Sequence, residues 1–430
     1  MLMTDIIEKK RDKQPLSDTE LEFFVSGVTD KSIPDYQISA LLMAILLNGM
    51  NRRETLTLTA LMAKSGDMLD LSDLSHTADK HCTGGVGDKT TLAVAPIAAA
   101  LGCTVAKMSG RGLGFTGGTV DKLESITGYK TALDTAEFKA IAKKCGMCIT
   151  GQSGNFAPAD KRLYAIRDVT ATVNSIPLIA SSIMSKKLAA GAETIVLDVK
   201  FGSGAFMKTA EDAEALAREM VEIGKGAGRK TAAVITDMDV PLGFAVGNAL
   251  EVKEAVSVLK GEGEKNLTSL CILLAAKMYQ ISFDKTEEES IAAARRVLAD
   301  GSAFNTLCSA VKAQGGDEKL LTGEHKFPEA EQIELKAEKD GYITAMNSET
   351  VGKAAVMTGA GRERLGDSID FSAGIILTKK YGDYVQKGER LATLYGVPER
   401  LIQARERLAE AYSVGESKPI DKPIVYKVID

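Results

Sequence analysis

A repeated order of short strand, glycine-rich loop and small-residue helix, beginning near residue 78, constrains the fold more than any other feature. An extended segment leads into a glycine loop at 82–88, and a helix is predicted at 89–101. A strand at 104–108 and a second glycine loop at 109–118 repeat the order, and a strand at 194–199 resumes it. Strands that alternate with helices in this way form a largely parallel sheet. The sequence therefore predicts an α/β domain with a mixed, mainly parallel sheet.

Two other parts of the chain are predicted to be helical. Ser17 can cap a helix while Glu20, three residues later, reaches back to it, which is the capping-box pattern. Pro158 suits the first turn of another helix, and Gly191 is a stop signal after an apolar helix at 176–190. These signals place helical segments on both sides of the first two strand–loop–helix units.

The order of these segments predicts three domains. A helical domain is expected from residues 1–67 together with 158–190, and it interrupts an α/β domain formed by 68–157 and 191–330. The sequence of residues 331–430 has the pattern of strands and turns, which predicts a small α+β domain with β-hairpins. A cleft between two such interleaved domains is a common place for a ligand.

Composition excludes several classes of function. The 53 basic and 58 acidic residues give a net charge of −5, which argues against bulk binding of nucleic acid. No run of about 18 apolar residues predicts a membrane span, and the first residues lack the layout of a signal peptide. We therefore expect a cytoplasmic protein whose six scattered cysteines are reduced thiols. Three histidines in all, and a lone C-x-x-C at Cys145 and Cys148, argue against a zinc site.

The two glycine loops are candidates for binding an anion. Glycines let several backbone N–H groups point at one ligand, and a following helix N-terminus favours negative charge. Lys80 and Lys107 lie before the loops, and hydroxyl groups at Thr91, Ser109 and Thr119 can bind phosphate oxygens. The patterns of the nucleotide P-loop and of the dinucleotide loop are both missing. A tight turn without a ligand explains one such loop, but two loops with cations beside them favour a small free phosphate.

A second set of polar residues lies on the predicted helices. Ser182 and Lys186 are four residues apart, so they share one helix face, and Arg167 ends the preceding helix. The alternative is that Lys186 and Lys187 form a solvated charge pair near the end of the helix, but the apolar residues around them favour a buried helix. His81 lies between Lys80 and the first loop, where an imidazole beside phosphate can be held protonated and can donate a proton to a leaving group.

Long segments of the chain resemble one known family. Residues 109–125, SGRGLGFTGGTVDKLES, closely resemble the signature of the thymidine/pyrimidine-nucleoside phosphorylases. Residues 79–88, 157–170, 181–187 and 202–207 are similar to further motifs of that family. The resemblance covers essentially the whole chain and is greatest to the bacterial pyrimidine-nucleoside phosphorylases. It implies a fold of the nucleoside phosphorylase/phosphoribosyltransferase type, a homodimer formed through the helical domain, and a cleft that closes on its substrates.

The resemblance also implies the reaction. Members of this family of pentosyltransferases, a class of glycosyltransferase, reversibly cleave pyrimidine (deoxy)nucleosides such as uridine, thymidine and deoxyuridine with inorganic phosphate, in pyrimidine salvage. The products are the free base and an α-D-(deoxy)ribose 1-phosphate. Phosphate is then a co-substrate, and no organic cofactor is expected.

The resemblance assigns roles to two groups of residues. His81, Arg167, Ser182 and Lys186 would be the catalytic residues, with His81 stabilising or protonating O2 of the leaving base. The phosphate side would consist of Lys80, His81, Cys82, Thr91, Lys107, Met108, Ser109 and Thr119. The pyrimidine side would consist of Arg167, Ser182, Lys186, Leu113, Tyr164 and Phe115.

Some relatives in this family hold a monovalent cation. The matching positions here would be backbone oxygens of Gly87, Leu242 and Ala245, the carboxylate of Glu254, and a hydroxyl group at position 89. Position 89 is instead Lys89, whose ammonium group can replace the ion. Lys89 therefore argues against a potassium ion at this site.

Three positions depart from the family pattern. Cys82 stands where serine is usual, Phe115 where histidine is usual, and Phe201 where a small or β-branched residue is more frequent. These departures leave open a paralogue with an altered substrate range, or one that binds without turnover. A phosphoribosyltransferase of the anthranilate type is a further alternative, although no convincing acidic pair for magnesium is present. The sequence at 381–394 also suggests a carrier module, but it lacks the lysine motif of such modules.

Overall fold

The computed structural model describes residues 1–112, 114–152, 154–364 and 366–430. The α-helices of these residues are α1 (Met3–Arg11), α2 (Asp18–Thr29), α3 (Asp35–Asn48), α4 (Arg52–Lys64), α5 (Thr90–Ala100), α6 (Thr119–Glu124), α7 (Thr135–Cys145), α8 (Pro158–Val169), α9 (Ile176–Ala189), α10 (Ala210–Gly226), α11 (Asn248–Leu259), α12 (Lys265–Phe283), α13 (Glu287–Ala299), α14 (Ser302–Ala313), α15 (Lys319–Thr322), α16 (Ser348–Ala355) and α17 (Pro398–Ala409). A π-helical turn, Val356–Ala360, follows α16. In the described ranges, none of these helices is long and apolar enough to cross a membrane.

The strands of the same residues are β1 (Ala78–Cys82), β2 (Val105–Ser109), β3 (Met147–Gly151), β4 (Thr194–Phe201), β5 (Lys230–Asp237), β6 (Ala245–Gly247), β7 (Glu331–Lys336), β8 (Gly341–Met346), β9 (Gly374–Leu377), β10 (Tyr384–Val385), β11 (Arg390–Gly396), β12 (Tyr412–Gly415) and β13 (Val425–Ile429). Strands at the two glycine loops and at 194–199 are therefore present, each within one or two residues of its predicted bounds.

The helical segments at the start of the chain pack together with α8 and the start of α9. The capping box of α2 is formed, because Glu20 N donates to Ser17 Oγ while Ser17 N donates to the Glu20 carboxylate. Apolar side chains of α1 to α4 and α8 share one buried core. Helix α9 contributes Leu178 to that core, while Met184 and Leu188 pack against β4, β5 and α10. Helix α9 thus belongs to the helical bundle at its start and touches the central sheet beyond it.

The central sheet is mixed and mainly parallel, as predicted. Strands β1, β4 and β5 are parallel neighbours, and β2 pairs with β3 in parallel. A parallel bridge between Thr77 and Thr104 joins these two groups next to β1 and β2. Because the carboxyl ends of parallel strands meet at one edge of a sheet, the loops after β1, β2 and β4 open on the same side.

The C-terminal part forms two small antiparallel sheets around a core with α16 and α17. Two strands tie it to the rest of the chain. Strand β6 pairs with β9, and the final strand, β13, adds antiparallel to the edge strand β5 of the central sheet. The C-terminal part has the α+β character that the sequence predicts. The pairing of β13 with the central sheet could not be predicted from the sequence. The domain boundaries at 67, 157, 190 and 330 stay our proposal.

Candidate active site

Lysines and aspartates fill the buried layer beneath the strand ends. Lys80, on β1, donates to Thr90 Oγ1 at 2.5 Å, and its Nζ lies 3.2 Å from Asp198 Oδ2. Lys200 lies 3.0 Å from the same oxygen. Burial alone would lower the pKa of Lys80, but the charges of Asp88 and Asp198 outweigh it and hold the pKa above its ordinary value. The cation predicted from sequence beside the first loop is therefore held in place and charged.

Lys107, on β2, is the second cation predicted from sequence. Its Nζ donates to the Lys80 carbonyl at 2.5 Å and to Asp79 Oδ1 at 3.1 Å. Burial is the main reason that its pKa falls to about 8. Protein acceptors thus take two of its three donors, and any contact between Lys107 and phosphate stays a prediction.

The half-buried His81 lies at the end of β1 between these charges. Its pKa is well below the ordinary value, first because of burial and then because of the positive charges of Lys187 and Lys107. The imidazole is therefore neutral near pH 7 in the ligand-free chain. The protonated form expected from sequence would need the negative charge of a bound phosphate.

The remaining predicted phosphate ligands occupy the ends of strands and the starts of helices. Ser109 ends β2, just after the half-buried Met108, and Thr119 is the first residue of α6. Thr91 is buried in the first turn of α5. Their contact with phosphate stays a prediction.

Cys82 ends β1, and its thiol group is directed at a carboxylate. It hydrogen bonds to Asp88 Oδ2 and accepts from Gly84 N at 3.3 Å. Burial raises its pKa, so the thiol stays protonated. The Cys82 thiol is thus already engaged by Asp88, and any contact between Cys82 and phosphate stays a prediction.

A second polar cluster lies where α8 and α9 face each other. Lys186 Nζ lies 2.5 Å from Asp160 Oδ2 and donates to Ser182 Oγ at 3.2 Å. The shared helix face predicted for Ser182 and Lys186 is therefore present. The Lys186 side chain is 32% exposed, so its ammonium group can still reach a ligand. Tyr164 lies one turn after Asp160 on α8 and is 36% exposed.

Arg167 has a different environment from the one expected. Its guanidinium group is buried and donates to the carbonyls of Thr172, Val173 and Leu178, at 3.3, 2.7 and 3.0 Å. Arginine has five N–H donors, and acceptors in the part of the chain that the structure describes take three of them, which leaves two for a ligand. The structure thus gives Arg167 a role that sequence reasoning missed, because it holds the turn between α8 and α9.

Two adjacent lysines connect the clusters. Lys186 belongs to the α8–α9 cluster, whereas the buried Lys187 lies 2.7 Å from Asp79 Oδ2. Asp79 also binds Lys107, and its pKa is about 2 because the two lysines outweigh the effect of burial. The pair Lys187–Asp79 therefore fixes α9 on the strand that carries Lys80. Sequence reasoning did not assign Asp79 or Lys187 to the site.

The candidate cation site contains an ammonium group. Lys89 Nζ donates to the carbonyls of Leu242 and Ala245 at 2.8 Å each, and lies 2.5 Å from Glu254 Oε2. A side chain at Gly87 would lie 2.7 Å from the Leu242 carbonyl, so Gly87 borders the same site. The five positions expected at the site thus converge, and Lys89 lies among them with its side chain fully buried.

Two residues of the second glycine loop, Leu113 and Phe115, are predicted to lie on the pyrimidine side. Leu113 lies outside the described residues. Phe115 is half-buried and packs against the C-terminal core, where its ring and carbonyl border Gly352 of α16. The structure therefore gives Phe115 a packing role between domains, and its contact with a base stays a prediction.

Three family models match successive parts of the chain. They are the helical bundle domain of a glycosyl transferase family at 4–66, the α/β domain of that family at 74–304, and the pyrimidine nucleoside phosphorylase C-terminal domain at 342–415. The pyrimidine-nucleoside phosphorylase of Staphylococcus epidermidis is 51% identical over 435 residues, with both chains fully covered. The chain belongs to the pyrimidine-nucleoside phosphorylase family.

Other members of this family are equally similar. The enzymes of Geobacillus stearothermophilus and Staphylococcus aureus are each 50% identical over the full length of both chains. A solved structure of anthranilate phosphoribosyltransferase from Thermus thermophilus shares the fold, with a TM-score of 0.58. It matches 72% of this chain and 98% of its own at 20% identity. Membership in the pyrimidine-nucleoside phosphorylase family therefore confirms the resemblance found in the sequence, and the solved structure supports its fold.

Proposed function

We propose that this protein catalyses the reversible phosphorolysis of pyrimidine (deoxy)nucleosides, with uridine, thymidine and deoxyuridine as substrates. The products are the free base and α-D-(deoxy)ribose 1-phosphate. The observation that supports this most is the Lys187–Asp79 ion pair, because it holds the candidate base helix α9 directly on the candidate phosphate strand β1. Two sites that must act on one glycosidic bond are thereby kept next to each other. The names of relatives that are about 50% identical over their full length support the same reaction.

On the phosphate side, we assign Lys80 to charge neutralisation and the loops after β1 and β2 to backbone contacts. Lys80 is buried and charged, so it can hold a dianion without moving. Ser109 and Thr119 supply hydroxyl donors, which form short hydrogen bonds to phosphate oxygens. Phosphate held there stabilises the positive charge that develops on the sugar and then bonds to C1′ with inversion.

On the base side, we assign Lys186, Ser182 and the two remaining N–H groups of Arg167 to the polar edge of the pyrimidine. Negative charge develops on the base as the glycosidic bond breaks, and donors already in place stabilise that charge. His81 faces O2 of the base in this assignment. A bound phosphate dianion raises the pKa of His81, because an opposite charge favours the imidazolium form. Phosphate binding then converts a neutral hydrogen-bond donor into a proton donor.

We further propose that Lys89 replaces a bound potassium ion. Its ammonium group already binds two carbonyls and the Glu254 carboxylate, which are oxygen ligands that a monovalent cation would use. Burial alone would raise the pKa of Glu254, but the Lys89 charge and two backbone donors hold it below its ordinary value. A second cation at this position would meet the repulsion of Lys89.

A homodimer is also part of the proposal. Helix α3 buries Ile38, Leu41 and Ile45 but leaves apolar groups uncovered on another face. Tyr36 and Leu47 are each 74% exposed, and Met43 between them is 37% exposed. Residues at this spacing form one stripe, which a second copy of the chain can cover. The family resemblance supports that occupant.

We expect the enzyme to work in the cytoplasm. All six cysteines lie in the described ranges and have free thiols, which suits a reducing compartment.

The direct test is release of base from thymidine, uridine and deoxyuridine by the purified protein, with and without inorganic phosphate. Liquid chromatography separates each nucleoside from its base. We expect release only when phosphate is present. Release without phosphate would identify a hydrolase, and no release from any of the three would identify a relative that has lost turnover.

A further inference from the structure

The second glycine loop closes on itself at a narrow neck. A side chain at Gly118 would lie 2.1 Å from Gly112 N, so two glycines let the entering and leaving backbone touch. Val120 N donates to the Gly110 carbonyl at 3.3 Å across the same neck. The position of Thr119, a candidate phosphate ligand, therefore depends on how this neck is held.

One buried carboxylate holds the neck together. Asp121, on α6, is 2% exposed in its side chain. Its Oδ2 accepts from Gly112 N at 2.6 Å, and its Oδ1 accepts from Arg111 Nη1 at 3.1 Å. A negative charge two residues from a phosphate ligand would repel the phosphate unless a cation compensates it.

The compensating cation comes from the C-terminal part of the chain. Arg362 Nη2 donates to Asp121 Oδ1 at 2.9 Å across 241 residues of sequence. Arg111 cannot do this alone, because it is 51% exposed and also pairs with Glu124 at 2.5 Å. Arg362 itself is only 24% exposed, so its charge is less screened by water.

Packing holds the loop to the C-terminal domain at Phe115, whose ring and carbonyl border Gly352 of α16. Beside this contact lies a cavity of about 30 Å³, which is lined by Thr116, Gly117, Val356 and Arg362 among others. Next to Asp121, Lys122 donates to the Asp88 carbonyl of the first loop at 2.6 Å. Helix α6 therefore makes polar contacts with both glycine loops and with the C-terminal domain.

We propose that Arg362 is a positioning residue for phosphate, acting through Asp121 on the second glycine loop. It holds the neck of the loop and cancels the carboxylate charge beneath the phosphate, while making no contact with substrate. The C-terminal domain then completes the phosphate site of the α/β domain. This assignment rests on the proposed function.

The test compares Arg362→Ala with Arg364→Ala, which removes an exposed arginine two residues away. Arg362→Ala should raise the KM for phosphate about tenfold, equal to about 1.4 kcal/mol, with a smaller change in kcat and in the KM for nucleoside. Arg362→Lys, which keeps the charge, should recover part of the loss. In an Asp121→Asn background, Arg362→Ala should add little, because the two residues act as one unit. Arg364→Ala should behave as the unsubstituted protein.

Two measurements keep the inference separate from the proposed function. Isothermal titration with inorganic phosphate alone, and hydrogen exchange of peptides that contain residues 114–120, need no turnover. Arg362→Ala should weaken phosphate binding and speed exchange of those peptides. Unchanged binding and exchange would overturn the inference even if the enzyme is active. If no nucleoside is cleaved, the proposed function fails while the exchange result still decides whether Arg362 holds the loop.

Discussion

Replacing Lys89 by serine removes the ammonium group from the candidate cation site and restores a hydroxyl group there. The substitution leaves the Glu254 carboxylate, whose side chain is 12% exposed, without the ammonium group that pairs with it directly. Breaking a buried ion pair from one side costs about 3–5 kcal/mol. Glu254 keeps two backbone donors, Phe244 N at 2.6 Å and Ala245 N at 2.8 Å. We therefore expect the lower end, about 3 kcal/mol of stability.

Potassium should restore much of that loss in the variant. A ligand at 100 times its Kd stabilises the folded state by about 2.7 kcal/mol, which nearly matches the predicted cost. The assay is thermal and urea unfolding of Lys89→Ser in potassium chloride and in choline chloride at equal ionic strength, so that general screening cancels. Lys265→Ser, at an exposed position, is the control.

The unsubstituted protein should be equally stable and active in both salts, because Lys89 already occupies the site. Strict dependence of the unsubstituted protein on potassium would refute the replacement. A loss of folding stability below about 1 kcal/mol in Lys89→Ser is typical of an exposed ion pair. That result would contradict the predicted cost of breaking the buried pair, even if potassium has no effect on the unsubstituted protein.

Three further predictions concern turnover, pH dependence and assembly. His81→Ala should lower kcat by roughly 100-fold or more, the usual contribution of a general acid, whereas His325→Ala, at an exposed site, should not; equal rates would remove His81 from the mechanism. Lys187→Met removes a positive charge that lowers the pKa of His81, so the limb of the pH–rate profile that belongs to His81 should move to higher pH; an unmoved or lowered limb would contradict this. Leu47→Glu puts a charge in the exposed stripe of α3, and light scattering should then report the mass of one chain; a persistent dimer would place the interface elsewhere.

Local signals in the sequence predicted local structure well. The Ser17–Glu20 capping box and the Ser182–Lys186 pair depend on three- and four-residue spacings, and both are present. The strand ends were also predictable, because glycine loops mark where buried strands stop. Family membership could be read from the long motif at 109–125, and the family models confirm it.

Long-range partners could not be read in this way. Asp79 joins Lys107 and Lys187 across 28 and 108 residues, and no spacing rule connects residues so far apart in sequence. One signal was available: Asp198 is a carboxylate inside the apolar strand β4, and a buried charge requires a partner. The structural role of Arg167 in holding the turn between α8 and α9 could not be predicted either. Its acceptors are backbone carbonyls, which every residue has, so no residue type in the sequence marks them.

Cleavage of a pyrimidine nucleoside by this protein should transfer the sugar to phosphate. Phosphorus-31 NMR of a reaction with thymidine or uridine, combined with chromatographic measurement of free base, tests it most directly. We predict one equivalent of α-configured (deoxy)ribose 1-phosphate for each equivalent of base, since attack by phosphate inverts C1′. Base released without a matching sugar phosphate, or a β-configured product, would contradict direct transfer of the sugar to phosphate.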